Sequence, residues 1–400
     1  MRDVDILVAG GGVAGLTAAA AFGAAGFGVL CVDPAPPVTR RDDPGADMRT
    51  TALLQPARAL LSQAGVWDAI ATEAAPLQVM RIVDAGGPTG AARRVKDFDA
   101  IDVSDLPFGW NVPNWHLRAA LVDRLSALAN VDFAPGLSAE TLFTRTKEAR
   151  VGLSDGTRIR ARLVIAADGR NSAMRRAAGI DVQTQRYGQK AIACAVHHDA
   201  PHHNVSTEIH RTGGPFTLVP LPDRNGCPCS ALVWMDDAAA TDARMQMDEA
   251  TFNAAMDDRS AGLYGPLRLA SPRAVWPIIS QRATSMAGER LALIAEAAHV
   301  VPPIGAQGLN MSLADTKTLL DLATAAPQEL GTADMLARYE KARMADVRTR
   351  VAGIDLLNRA SQVHSQPLKD ARMLGLDALY AAKPVRQMLM QMGLGLKTQT

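Results

Sequence analysis

The sequence predicts an α/β protein with a parallel-sheet lobe, a second lobe holding a largely antiparallel sheet, and C-terminal helices. Three observations predict it. Residues 3–33 read as strand, glycine turn, helix and strand; the stretch from about Tyr187 to Pro277 breaks into short β-type runs between Pro, Gly and Asp clusters; helical spacing returns from Leu309 onward. A chain of 400 residues also exceeds the size, about 250 to 300 residues, at which a single core stops growing, so two lobes sharing an interface are expected.

In order, Asp3 to Val8 is a short buried strand, Gly15 to Ala25 an alanine-rich helix and Gly28 to Asp33 a second strand, together a βαβ unit. Val151 to Asp168 is a hairpin that turns at Asp155-Gly156 and returns through Arg158 to Arg162 into the apolar strand Leu163 to Ala166, which delivers Asp168 to a strand end. Lys190 to His197, Phe216 to Pro220 and Ser230 to Met235 are strands of the antiparallel sheet, and Arg290 to Ile294 is a further buried strand. Val347, Val351, Ile354 and Asn358 mark one face of a late helix, and the segment Met388 to Leu396 is rich in methionine and leucine.

Composition and charge exclude several functions. Lys plus Arg total 42 against 41 for Asp plus Glu, a balance of +1 that gives no general pull toward nucleic acid. The stretch from Ile6 to Val32 carries no charge and imitates a membrane span or signal peptide, but Gly10, Gly11, Gly12 and Gly15 would weaken a spanning helix, and Asp3 and Asp5 stand where a signal peptide needs basic residues. The four cysteines lack zinc-ligand spacing, and Cys227-Pro-Cys229 reads as a turn, so reduced thiols and a cytoplasmic protein are expected. His197-His198 and His202-His203 lack a supporting carboxylate or cysteine pattern and read as an exposed turn.

The first motif is Gly10-x-Gly12-x-x-Gly15, placed where strand turns to helix. Its glycines allow a tight turn, close approach of a pyrophosphate and close helix-strand packing, while the helix N-terminus at Val13 and Ala14 faces the phosphates. Asp33, at the end of the second strand, is placed to accept hydrogen bonds from an adenosine ribose. The unit is Rossmann-like and does not by itself separate NAD from FAD.

The second motif, Leu163-Val-Ile-Ala-Ala-Asp-Gly-Arg-Asn-Ser-Ala-Met-Arg175, sets Asp168-Gly169 at a strand end. The third, Leu291-Ala-Leu-Ile-Ala-Glu-Ala-Ala-His-Val-Val-Pro-Pro-Ile-Gly-Ala-Gln-Gly-Leu-Asn310, ends in a glycine loop that enters a helix. Together they resemble the second motif and the ribityl motif of the single-component, group A flavoprotein aromatic hydroxylases. Ala297, Ala298, His299, Pro303, Gln307, Gly308 and Asn310 match the family pattern. Ala295 stands for Gly, Glu296 for the ribityl-binding Asp and Ala306 for a loop Gly. Glu296 keeps the carboxylate one methylene further out, and Gly305 next door is expected to supply the flexibility that Ala306 gives up. Asp47-Met-Arg49, Thr51-Ala-Leu-Leu, Gly65-Val-Trp67, Tyr187-Gly-Gln-Lys-Ala191 and Gly214 to Pro222 further resemble the ubiquinone-biosynthesis ring hydroxylases of the UbiH, UbiF and UbiL type.

The resemblance implies an FAD-binding domain in three parts, 1–77, 114–183 and 276–345, with substrate-domain strands at 78–113, a β-sheet substrate domain at 184–275 and a helical segment at 346–400. It implies FAD held by Gly10, Gly12, Val13, Ala14, Gly15, Asp33, Arg49, Arg118, Asp168, Gly169, Glu296, Gly305, Gln307, Gly308, Leu309 and Asn310, with Asn114 beside them. NADPH or NADH is the transient reductant and O2 the co-substrate. The flavin carries the chemistry, so no catalytic side chain is assigned; His299 and Pro303 lie near it, with His299 expected in a structural role. The implied activity is hydroxylation of the ring of a polyprenylated ubiquinone precursor. A soluble phenol as substrate, or a flavin-poor scaffold subunit in a biosynthetic complex, are the alternatives. Location at the inner face of a membrane, or in a ubiquinone-biosynthesis complex, would run through the C-terminal Met388, Leu389, Met390, Met392 and Leu394.

Overall fold

A computed structural model describes residues 1–43, 45–224 and 226–395; Leu396 of the methionine-rich segment lies outside them. One sheet is parallel at its centre. Strands Leu291–Leu293, Arg158–Ala166, Arg2–Ala9, Val29–Asp33 and Val131–Pro135 lie side by side in that order, all parallel. The expected hairpin extends this sheet, with Glu148–Leu153 antiparallel to Arg158–Ala166. Helix Val13–Ala24 packs on it with ten of its twelve residues buried, as an alanine-rich helix between a sheet and other helices should be.

The second sheet runs through Ala274–Ala283, Val182–His197, Cys227–Asp237, Pro215–Arg224 and Val205–His210, antiparallel throughout, and is extended by Val79–Asp84 and Arg94–Asp99. Val205–His210 pairs with Val79–Asp84 in parallel, so two segments 120 residues apart close the sheet together. One face carries Ile192, Trp234, Phe216 and Leu218 and is covered by two helices, Ala238–Met245 and Glu249–Arg259, through Phe252 and Met256. These helices lie within the stretch that the sequence pattern reads as short β-type runs alone. The second is capped by Asp248, whose carboxylate accepts from the Thr251 amide at 2.7 Å.

Three expectations need correction. Cys227-Pro-Cys229 is the beginning of a strand rather than a turn, because Cys229 pairs with Leu221 and, across a register shift, Cys227 pairs with Arg224. The histidine cluster is not simply exposed: His198 is buried between the Ala200 carbonyl and the Ser230 hydroxyl. The strand expected from Arg290 starts at Leu291, since Arg290 is left-handed (φ 55°) and turns its guanidinium onto the carbonyls of Thr146, Arg162 and Leu330.

The late helix spans Ala333–Ser361 and buries Val347, Ile354 and Asn358, with Val351 half-buried, on the predicted face. Further toward its N-terminus, Tyr339 is fully buried and donates its hydroxyl to the Leu293 carbonyl at 2.7 Å, tying the helix to the central sheet. Tyr339→Phe removes that bond with little change of shape and should lower stability by about 1 kcal/mol. A lower urea midpoint at unchanged slope is the expected result.

Candidate cofactor site

The first motif folds as its spacing requires. Gly10 has φ 111°, and a Cβ there would lie 2.3 Å from the Ala167 carbonyl oxygen; at Gly15 it would lie 1.9 Å from that of Gly10. Gly12 has open space around it, and no side chain caps the helix that starts at Val13. Free amides at a helix N-terminus beside an open glycine suit an anionic pyrophosphate. Asp33 braces this turn: Oδ2 accepts from the Gly11 amide at 2.6 Å and Oδ1 from the Ala35 amide at 2.9 Å.

The second motif is set against the first by strand pairing, since Ala9 faces Ala166 and the Ala167 amide donates to the Ala9 carbonyl at 2.7 Å. Asp168 Oδ2 accepts from the Met174 amide at 3.1 Å, while Oδ1 is buried with no partner among the described residues. Gly169 is left-handed (φ 79°) with open space beside it. Arg175, buried, donates to the Ala297 and Arg170 carbonyls at 2.8 and 2.9 Å and so fastens the second motif to the third.

The third motif crosses between the sheets: Leu291–Leu293 belongs to the parallel sheet and His299–Val300 to the antiparallel one. Between them Ala295 is left-handed (φ 56°), as is Ala306 (φ 57°) just before helix Gln307–Ala325. Both positions where the family pattern has glycine therefore keep a glycine-type backbone. Gly305 does not relieve Ala306, because it is itself left-handed (φ 62°).

A buried polar chain holds these turns. Asp315, fully buried, accepts from His299 Nε2 at 2.7 Å, from Arg343 Nε at 2.7 Å and from the Ala295 amide at 3.2 Å. Burial pushes its carboxyl up, but His299 and Arg343 pull harder and hold it below its ordinary value. Arg343 reaches Asp346 (2.8 Å), Asp346 pairs with Arg350 (2.9 Å), and Arg350 Nη1 donates to Gln307 Oε1 at 2.6 Å. Gln307 in turn donates to the Gly305 carbonyl at 2.9 Å, and Asn310 to those of Ala52 and Ala306 at 2.7 and 2.6 Å while accepting from the Leu54 amide. His299, Gln307 and Asn310 thus shape the loop from inside. Pro303 is half-buried within it, and the amides of Gly308 and Leu309 stand in the first turn of the helix.

Glu296 differs: it is 56% exposed, its carboxylate 3.9 Å from Arg170. Arg49 is bound to Asp47 through Nε and Nη2 at 2.7 and 2.8 Å and lies over Trp276 of the antiparallel sheet at 5.5 Å. Asn114 and Arg118 meet the same Asp47, at 3.0 and 3.5 Å. Burial raises the Asp47 carboxyl, and Arg49, Asn114 and Arg118 more than reverse it, leaving it lowered. The structure brings Arg49, Asn114 and Arg118 together, and Asp47 is the reason. Asp315, Arg343 and Arg350 have no place among the residues the sequence singled out, and Asp47 entered only as the first residue of the Asp47-Met-Arg49 motif, without a role of its own. Asp315 was detectable as an acid inside the buried stripe Met311, Leu313, Thr316, Leu319 of an otherwise apolar helix face. Two open clefts among the described residues, at Met245–Arg273 and at Thr146–Glu340, are lined by none of the three motifs.

The model of a family described as FAD binding domain matches residues 3–353. A ubiquinone hydroxylase, UbiL of Rhodospirillum rubrum, is 31% identical over 98% of this chain and 90% of its own length. The chain belongs to this FAD-binding family. It is an FAD-dependent aromatic-ring monooxygenase of group A, related to the ubiquinone hydroxylases, with NAD(P)H as reductant. The 3-demethoxyubiquinol 3-hydroxylase of Escherichia coli is 28% identical over 99% of both chains. The crystal structure of p-nitrophenol 4-monooxygenase PnpA from Pseudomonas putida DLL-E4 matches with a TM-score of 0.79 at 20% identity, over 99% of this chain and 100% of that one, a likeness of fold. The residues present fit FAD: the open space beside Gly12, the uncapped helix start, the partnerless Oδ1 of Asp168 and the exposed carboxylate of Glu296 are groups a phosphate- and hydroxyl-bearing ligand can meet.

Two outcomes test this monooxygenase's supports. Asp315→Asn removes the fully buried countercharge of Arg343, leaving it only the half-buried Asp346, and should cost about 3 kcal/mol in urea denaturation. Because the Asp315 carboxyl is held low in the fold, its contribution is complete above the unfolded value near 3.8 and is lost as pH falls through the lower folded value. Stability of the parent chain should therefore drop in acid more steeply than that of the variant. Conversely, Ala306→Gly relieves a left-handed alanine, costing about 1 to 2 kcal/mol in place, against roughly 0.5 to 1 kcal/mol of added chain entropy. A net gain of about 0.5 to 1 kcal/mol, with FAD retained, is expected.

Proposed function

We propose that this monooxygenase hydroxylates the ring of a polyprenylated ubiquinone precursor. The observation that carries the reading is the sheet face turned to the third motif. There Thr217, Val219, Val233 and Trp276 are half-buried and uncharged, and Val233 and Trp276 pack against the core of the FAD lobe. An incompletely covered face lined by these side chains suits an apolar ring with a prenyl tail better than a phenolic acid, because the cation beside it, Arg49 over Trp276, is already paired with Asp47. The likeness to UbiL over almost the whole chain supports the same class.

Bound FAD supplies hydride acceptance and oxygen transfer. The chain's own residues bind and orient. Gly10, Gly12, Val13, Ala14 and Gly15 receive the pyrophosphate, Asp33 the adenosine ribose, and Arg49, with Nη1 left over from its pairing to Asp47, the cofactor from the side of Arg118. Asp168, Gly169 and Glu296 line the ribityl chain. The amides of Gly305 to Asn310 would stand near the edge of the ring where negative charge collects, a placement that would stabilise charge without reorganisation. His299 holds Asp315 rather than a substrate proton.

The test is spectroscopic and then chemical. Anaerobic NADPH should bleach the bound-flavin spectrum, and a detergent-dispersed prenylated phenol should accelerate NADPH oxidation and gain one oxygen atom. Acceleration by a soluble phenolic acid with matching product, and none by the prenylated phenol, would overturn the substrate while leaving the reaction class in place.

A further inference from the structure

Strand Gly109–Pro113 lies between Thr50–Leu54 and Ala75–Leu77 in a small sheet that stands against the antiparallel one. Side chains alternate along a strand. Trp110 and Val112 go into the core of the FAD lobe, so Asn111 between them goes the other way. It crosses to the sheet that carries the proposed substrate face, where its Nδ2 donates to the Pro220 carbonyl at 2.9 Å, next in the chain to Val219 of that face. A carbonyl only accepts, so the amide presents its nitrogen there and turns its oxygen elsewhere. Oδ1 is the atom left over. Asn111 is 1% exposed, and Oδ1 is buried with no partner among the described residues.

The surroundings supply no donor. Opposite Asn111 in the ladder stand Ala52 on one side and Ala75 on the other, each ending in a methyl group on the same face. Val219 and Leu221 flank Pro220. An acceptor held among apolar groups is destabilising unless a donor arrives, and an apolar side chain of the same size would serve the packing better. The position says which donor. The Ala52 carbonyl accepts from Asn310 Nδ2 at 2.7 Å, so Asn111 is one ladder step from the cofactor loop and one hydrogen bond from the substrate face. A hydroxyl carried by the ring to be hydroxylated arrives between those two.

We propose that Asn111 binds the phenolic hydroxyl of the substrate ring, with Oδ1 accepting its hydrogen bond, and so sets how the ring is turned toward the cofactor. An amide oxygen accepts the bond without taking up the proton, so the residue orients and selects. A ring whose oxygen carries an alkyl group has nothing to donate and leaves Oδ1 unpaired. This deepens the ring-hydroxylase reading above and rests on it, but it needs only a phenol, with or without a prenyl tail.

The flavin absorbance of the FAD-loaded chain is titrated with para-cresol and with its methyl ether, two ligands of similar shape of which only the first donates. The phenol should bind about tenfold or more tighter, because the ether leaves a buried acceptor unmet. Asn111→Leu keeps the size, removes the acceptor and should bring the two constants within about twofold of each other. Its FAD content and its reduction by NADPH without ligand should match the parent. In turnover of a prenylated phenol it should show a higher KM and more NADPH oxidised per ring hydroxylated. Asn111→Val, suited to a strand, repeats the titration where the leucine variant does not hold FAD. A merely structural asparagine would affect both ligands alike and leave their ratio in place. Equal binding of the two ligands by the parent, no response to either, or a parent-like ratio in the variant overturns the proposal, the last assigning Oδ1 to a buried water. Failure of the parent to hydroxylate the prenylated phenol, with the ratio behaving as expected, overturns the substrate proposed above and leaves Asn111 in its role.

Discussion

One buried carboxylate organises the centre of the molecule. Asp315 has no access to solvent, and an uncompensated charge there would be prohibitively expensive. Its three donors come from the turn at Ala295, from His299 as the chain enters the second sheet, and from Arg343 on the long helix. The ion can be neutral toward its surroundings only if all three segments are in place, so the interaction specifies where they meet. A pairing of this kind need add little net stability over an apolar packing of the same volume. What it supplies is position, and the position concerned is that of the turn bearing Glu296.

The replacement of two pattern glycines follows from this. Alanine resists the left-handed region, yet Ala295 and Ala306 both occupy it. At Ala295 the amide is held by Asp315; at Ala306 the carbonyl is held by Asn310, whose remaining bonds run to the strand Thr50–Leu54. The surroundings over-determine both turns, and the backbone keeps its shape at a local cost. Loss of glycine here is a loss of stability rather than of the site.

The first βαβ unit, the Asp155-Gly156 hairpin and the face of the long helix were legible in the sequence because each is set by local periodicity or by a turn with one residue solution. The two helices over the antiparallel sheet were not, because their apolar residues answer to Trp234 and Phe216 on the sheet, not to a strong stripe of their own. The same contrast holds for the site. Gly10, Gly12, Gly15, Asp168 and Gly169 announce themselves by spacing. Arg49, Asn114 and Arg118 are separated by up to 69 positions and are brought together only by Asp47; a single sequence gives no sign that one carboxylate collects three donors.

The chain of ion pairs also explains why the C-terminal helices are not an appendage. From Asp315 the sequence of contacts passes through Arg343, Asp346 and Arg350 to Gln307, and from Gln307 to the last helix at Gly393. Each link spans one turn or one interface, so a shift of the last helix is felt at Gln307 before it is felt anywhere in the parallel sheet. The loop at Gln307 is also where a flavin ring would need fixed amides. A structure that ties its last helix, Lys383–Leu394, to that loop, through a glutamine whose other bonds are internal, makes the environment of the cofactor depend on where that helix sits.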